Sequence, residues 1–127
     1  MTQPDRTKQP EIKEINTFQP VYADKKQLSN GIPLRLIQSS TEDILKIDLL
    51  FRAGNWYQPK PIVAEATNEM LPEGTNTMTS AQIANKLDYY GAFLQTNANN
   101  DVAVVTLLTL NKHLNKTLSV LAKIVQN

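Results

Sequence analysis

The stretch "AEATNEMLPEGTNTMTSAQI", Ala64 to Ile83, decides how this chain is read. It has the pattern of a helix, a proline stop, a glycine turn and a second, capped helix. The spacing predicts a first helix over about Ile62–Leu71, with Pro59 and Pro61 preparing its start. Pro72 ends it by disfavouring helical geometry at the residue before it. Thr79 and Gln82 form a capping box for the second helix: the Thr side chain takes the N–H three residues on, and the Gln side chain reaches back. Ile83, Leu87 and Tyr90 make its apolar stripe, and Gly91 supplies the left-handed stop. In the first helix Glu65, Asn68 and Glu69 fall on one face, a spacing at which metal ligands can meet.

Outward from there the pattern turns to strands. In "ILKIDLLFRAG", Leu45, Ile47, Leu49 and Phe51 alternate onto one face. Lys46, Asp48 and Arg52 share the other with Ile44 and Leu50. Gly54 ends the strand and "NWYQPKP" is a loop. Trp56 and Tyr57 in it either form a recognition patch or cover the end of a sheet, the commoner role of such aromatics. Upstream, a strand around Tyr22–Leu28 and the strand "IPLRLIQS" flank a turn at Ser29–Gly31, where Asn-Gly accepts positive φ. Pro33 leaves the start of that second strand unpaired on one side.

Downstream, "AFLQTN" and "DVAVVTLLTL" are strands about a polar turn at Ala98–Asn100. The second is apolar on both faces, which predicts a central strand. Asn111 is positioned to cap a last helix whose stripe is Leu114, Leu118, Leu121 and Val125. In "YYG" Tyr90 packs inward and Tyr89 outward. The order predicts an α+β fold: a two-layer sandwich of a mainly antiparallel sheet with helices on one face. Residues 1–20, with Pro4, Pro10 and Pro20, read as an extended polar arm, and residues 21–127 as an incomplete α+β domain truncated at its C-terminus. The strand Val102–Leu110 and the last helix then carry apolar faces that a complete domain would cover, which predicts self-association.

Composition excludes several classes of function. The 127 residues suffice for one domain, and 41% hydrophobic with 20% charged residues marks a globular chain. Thirteen Lys and Arg against twelve Asp and Glu give no electrostatic case for nucleic acid or an anionic membrane. The lack of cysteine removes disulfides, thiolate catalysis and cysteine metal sites. No apolar run approaches the roughly 18 residues of a membrane span, and the first residues lack a signal-peptide core. Both points favour the cytoplasm. The single histidine, His113, stands among lysines and reads as a solvated helix residue, so the chain cannot build a two-His zinc site.

The motifs taken together, "LSNGIPLRLIQ", "LLFRAGNWYQ" and "VAEATNEMLPEGTNTMTSAQIANKLDYYGAFLQTNANND", resemble the N-terminal half-domain of pitrilysin/insulinase-type metallopeptidases, the inverzincins with an H-x-x-E-H helix. The family frame around that helix is A-H-x-x-E-H-M-L-x-x-G-T, followed by a capped helix ending in glycine. Ala64, Met70, Leu71, Gly74 and Thr75 keep it, and Gly91 keeps the later glycine. The resemblance covers roughly residues 25–127. It puts Glu65 at the first zinc histidine, Asn68 at the catalytic glutamate and Glu69 at the second histidine. The family's third ligand would fall at or beyond Asn127.

The resemblance thus implies a silent member, with no catalytic and no metal-ligating residue of its own and Glu65, Asn68 and Glu69 as degenerate-site positions. Such members pair with an active H-x-x-E-H partner, which alone holds zinc, and close a peptide-holding chamber. Three rivals stay open. Glu65, Asn68 and Glu69 could hold calcium or manganese through oxygen, although six or more oxygens are usual. The chain could be a stand-alone peptide-binding or structural module using an exposed sheet edge. It could be an enzyme of another class, for which neither a cysteine, a second histidine nor a phosphate loop is present.

Overall fold

The computed structural model describes residues 7, 9, 11–12, 14–15, 17–38 and 42–126. Of the predicted arm, residues 1–6, 8, 10, 13 and 16 lie outside the described set. The chain forms two units, Met1–Thr41 and Glu42–Asn127.

In the first unit β1 (Asp24–Gln27) pairs antiparallel with β2 (Pro33–Leu36), with Gln27 opposite Pro33. The loop is a three-residue one rather than the tight Asn-Gly turn expected: Leu28 donates its N–H to Ile32 and Gly31 donates to Leu28. Only Gly31 takes positive φ, at 87°. Asn30 instead uses its side-chain oxygen to accept the Ile32 N–H, an arrangement typical of Asx turns.

The second unit carries the α+β architecture. β3 (Ile44–Phe51), β6 (Phe93–Ala98) and β7 (Ala103–Leu110) form an antiparallel sheet in the order β3-β7-β6, so the strand apolar on both faces is central. The register puts Ile47 and Leu94 beside Leu107, and Leu49 and Thr96 beside Val105. These face the helical layer, as the alternation in β3 predicts. α1 (Val63–Met70), α2 (Ser80–Tyr89) and α3 (Leu114–Gln126) make up that layer. The core joins Ile83 and Leu87 of α2 and Val120, Leu121 and Ile124 of α3 to Val105 and Leu107. Each such side chain contributes about 1.5–3 kcal/mol by leaving water. No helix among the described residues is long and apolar enough to cross a membrane.

Both parts of the Thr79–Gln82 capping box form, and Gly91 takes φ of 60°. Tyr90 is half-buried and Tyr89 exposed, their rings edge to face with centroids 5.0 Å apart. The region between α1 and α2 departs from expectation. Pro72 does not stop the chain in an extended conformation. Leu71 stays helical, and Leu71–Glu73 continues as a 3-10 turn. Pro72 sits early in that turn, where a missing N–H costs little. A two-rung hairpin, β4 (Gly74–Thr75) and β5 (Met78–Thr79), then leads into α2.

The last helix also differs. Asn111 does not cap it: Asn111–His113 is a 3-10 turn, and the Asn111 N–H donates to the Asp43 carbonyl at 3.0 Å. The inward stripe is Thr117, Val120, Leu121 and Ile124, while Leu118 is exposed and Leu114 and Val125 are half-buried. Thr117 is tolerated there because its hydroxyl bonds the His113 and Leu114 carbonyls at 3.1 Å and Thr109 Oγ1 at 3.2 Å. His113 is half-buried rather than solvated, its ring 5.2 Å from that of Tyr90. The inner residues of the central strand and the last helix are therefore covered. On their outer sides Leu108 of the strand and Leu118 of the helix are exposed.

Candidate functional site

Placement of α1 begins at Gly54. A Cβ there would stand 2.5–2.6 Å from the backbone of Asn99, Asn100 and Asp101, so only glycine lets the two loops close. Asn55 and Trp56 then donate backbone N–H groups to the Asn99 and Asn100 carbonyls at 2.8 and 3.0 Å. The chain turns through a 3-10 turn, Asn55–Tyr57, and presents Gln58. Gln58 Oε1 accepts the Ala64 N–H at 3.1 Å, satisfying one of the N–H groups that a helix start leaves orphaned. Ile62, just before the helix, is left-handed with φ 75° and ψ −15°. That conformation is strained for a β-branched residue. The helix proper therefore begins at Val63.

The three candidate side chains are not brought together. Glu65 and Glu69 are exposed, whereas Asn68 is only 4% exposed. Asn68 turns toward the sheet with Ala64, and its Nδ2 donates to the Val104 carbonyl of β7 at 3.4 Å. That distance is beyond the usual 2.7–3.2 Å range, so the bond is a weak one. Its value is in giving a buried amide a partner. The helix face is thus wet at the two carboxylates and dry at the amide between them.

This donor set does not fit zinc. Two solvated carboxylates flank an amide whose NH2 group is committed to a main-chain carbonyl, and an amide has no basic site to take a proton from water. Among the described residues no three His, Cys, Asp or Glu side chains stand close enough to hold a metal ion.

Beside Asn68 opens an apolar cleft of about 400 Å³, bounded by Phe51, Tyr57, Val63, Thr67, Leu71 and Val125. It escaped the sequence because it depends on how α1, β3 and α3 meet. Its one local signal was "NWYQP". Trp56 does not cover the sheet end: it is 76% exposed, and Tyr57 is exposed at the edge of the cleft. On the opposite face of the sheet, Asp48 accepts a 2.6 Å hydrogen bond from the Thr106 hydroxyl and pairs with Lys46 at 2.9 Å. The Thr106 bond, chiefly, holds the Asp48 carboxyl below its ordinary range; partial burial opposes it and Lys46 adds to it.

A three-stranded antiparallel sheet under a helical layer, with two exposed carboxylates and a buried amide on α1, is an α+β arrangement similar to that of metallopeptidase half-domains. Comparison with known proteins agrees. No family model matches the chain. An uncharacterized zinc protease of Rickettsia bellii (strain RML369-C) is 27% identical over 103 residues, 80% of this chain and 25% of its own length. The crystal structure of a peptidase M16 inactive domain from Pseudomonas fluorescens superposes with a TM-score of 0.77 at 25% identity, over 83% of this chain and 26% of that one. A protease from Helicobacter pylori shares the fold alone, with a TM-score of 0.72 at 16% identity over the same shares. The chain resembles the N-terminal half-domain of an inactive pitrilysin-type protein, and spans about a quarter of the length of the relatives it matches.

Proposed function

We propose that this chain is a non-catalytic subunit or part of one, which pairs with an active H-x-x-E-H partner and helps form a peptide-holding chamber. The observation that carries the reading is Asn68. Where the family resemblance calls for the general base, this chain has a buried amide bonded to Val104. A site that has become part of the packing serves the fold and leaves catalysis to a partner. Zinc then belongs to the partner, peptides are bound through the complex, and the setting is cytoplasmic, with no role for nucleic acid or membrane.

The test is to co-express the chain with an active pitrilysin-type subunit from the same source and purify by a tag on this chain. Co-purification, with faster peptide hydrolysis than the active subunit gives alone, supports the proposal. An active subunit that never co-purifies and gains nothing from the addition contradicts it.

A second reading is favoured by the sheet itself. Among the described residues β3 and β6 each pair with β7 alone in their sheet, leaving two edges. A stand-alone module could add a peptide strand to either. Peptide binding by the isolated chain, undiminished when no partner is present, would support it.

A further inference from the structure

We infer that Asn30 is a site of spontaneous covalent modification: in the loop between β1 and β2 its side-chain amide converts, through a cyclic imide with Gly31, to aspartate and isoaspartate, and the isoaspartate form loosens the hairpin. The inference is independent of the proposed function.

The reaction needs an asparagine, a following main-chain nitrogen unscreened by a side chain, and a backbone able to bring the two together. Asn30 is the one asparagine of the chain that precedes a glycine. Both residues are exposed, and the space around Gly31 is open: a Cβ there would meet only the Gln27 side chain, at 4.0 Å. The Asn30 side chain already folds forward over the next peptide, because its Oδ1 accepts the Ile32 N–H at 3.2 Å. A donor on that oxygen also stabilises the negative charge it gains when Cγ is attacked. One bond opposes the reaction, from the Gly31 N–H to the Leu28 carbonyl at 2.9 Å. Its protection is weak. β1 and β2 form a two-stranded sheet whose every residue is exposed, and a hairpin of that kind is marginal in water and opens often.

In the first step the Gly31 nitrogen bonds to Asn30 Cγ and the Cγ–Nδ2 bond breaks. The proton lost by the Gly31 nitrogen leaves with Nδ2 as ammonia. Water then opens the imide. Opening at Cγ gives aspartate, which keeps the oxygen that accepts the Ile32 N–H. Opening at the main-chain carbonyl gives isoaspartate, which adds a methylene to the backbone of a loop whose register sets Gln27 opposite Pro33.

Asn99 is the internal control. Its Oδ1 makes the same turn, accepting the Asp101 N–H at 2.9 Å. The residue after it is Asn100, which has a side chain, and the main chain of Asn99 is held by Val102 and Asn55 at 3.0 and 2.8 Å.

The experiment incubates the whole chain at neutral and mildly alkaline pH, maps its peptides by mass spectrometry and labels isoaspartate by enzymatic methylation. Conversion should fall at Asn30 well ahead of Asn99, and should quicken with pH because the attacking nitrogen must first lose its proton. Its rate should be comparable with that of the free peptide Leu28–Pro33. Asn30→Gln, which would have to close a larger ring, should abolish it. Limited proteolysis should cut the isoaspartate form within Asp24–Leu36 sooner than the Asn30→Asp variant, whose backbone length is unchanged. Conversion at Asn99 ahead of Asn30, a rate far below that of the free peptide, conversion in this loop that persists in Asn30→Gln, or an isoaspartate form as resistant to cleavage as Asn30→Asp would each overturn the inference.

Discussion

Asn68 and Val104, 36 residues apart, are joined by a single hydrogen bond from the amide Nδ2 to the carbonyl oxygen at 3.4 Å. It ties α1 to the central strand at the position where the family resemblance expects a general base. In this chain the residue at that position is part of the packing.

Asn68→Asp tests that role. The change keeps the shape and replaces the donor with a carboxylate facing a carbonyl oxygen in a nearly dry site. Burial would raise the carboxyl pKa in the folded state above its unfolded value near 3.9. The folded state then holds its proton longer, so the variant is most stable below pH 4 and loses stability as pH rises through the folded pKa. At pH 7 the loss should be about 1–3 kcal/mol relative to the natural chain, the cost of an unsatisfied buried polar group or more. Urea unfolding at pH 4 and pH 7 measures it. A loss equal at both values would mean that Asn68 is not held in a dry site.

Thr106→Val probes the opposite sheet face. Thr106 is the main cause that depresses Asp48, so the stabilisation it gives is present above the unfolded pKa and disappears as pH falls through the folded value. The natural chain should exceed the variant in stability at pH 7, by under about 1 kcal/mol because 38% of the Asp48 side chain is exposed to water. The gap should close as the carboxyl protonates toward pH 2. Thermal melts across that range decide it, and a gap independent of pH would show that packing rather than the charged hydrogen bond is responsible.

Glu65→His with Glu69→His, made together, restores two imidazoles four residues apart on the exposed side of α1. Because both positions face solvent and Asn68 is untouched, the fold should keep its stability. Zinc affinity by equilibrium dialysis should rise by at least about tenfold over the natural chain, a conservative figure for two ligands at helical spacing. Peptide hydrolysis should not appear, since the base position remains an amide. No gain in zinc would mean that the two positions do not face one point.

What was legible in the sequence was mostly local or strictly periodic. The Thr79–Gln82 box, the Gly91 stop and the alternation of Leu45, Ile47 and Leu49 need only neighbouring residues or a period of two, and all three stand in the structure. What misled was chemistry settled by distant partners. A stripe drawn through leucines misses Thr117, Val120 and Ile124, because the partners that let Thr117 face inward, carbonyls one turn back and Thr109, are set by the fold. Asn68 looked like one of three polar residues on a wet face, and only the position of β7 reveals its partner. The cleft beside it is bounded by α1, α3 and the end of β3, so no single segment could announce it.

The central claim is that this chain carries the metallopeptidase frame without the chemistry. The most direct measurement is cleavage of a fluorogenic peptide mixture by the purified chain alone, with zinc supplied, in the presence and absence of a chelator. The account predicts no chelator-sensitive cleavage at any chain concentration. Cleavage that requires zinc, is abolished by the chelator and is lost on Glu65→Ala would contradict it.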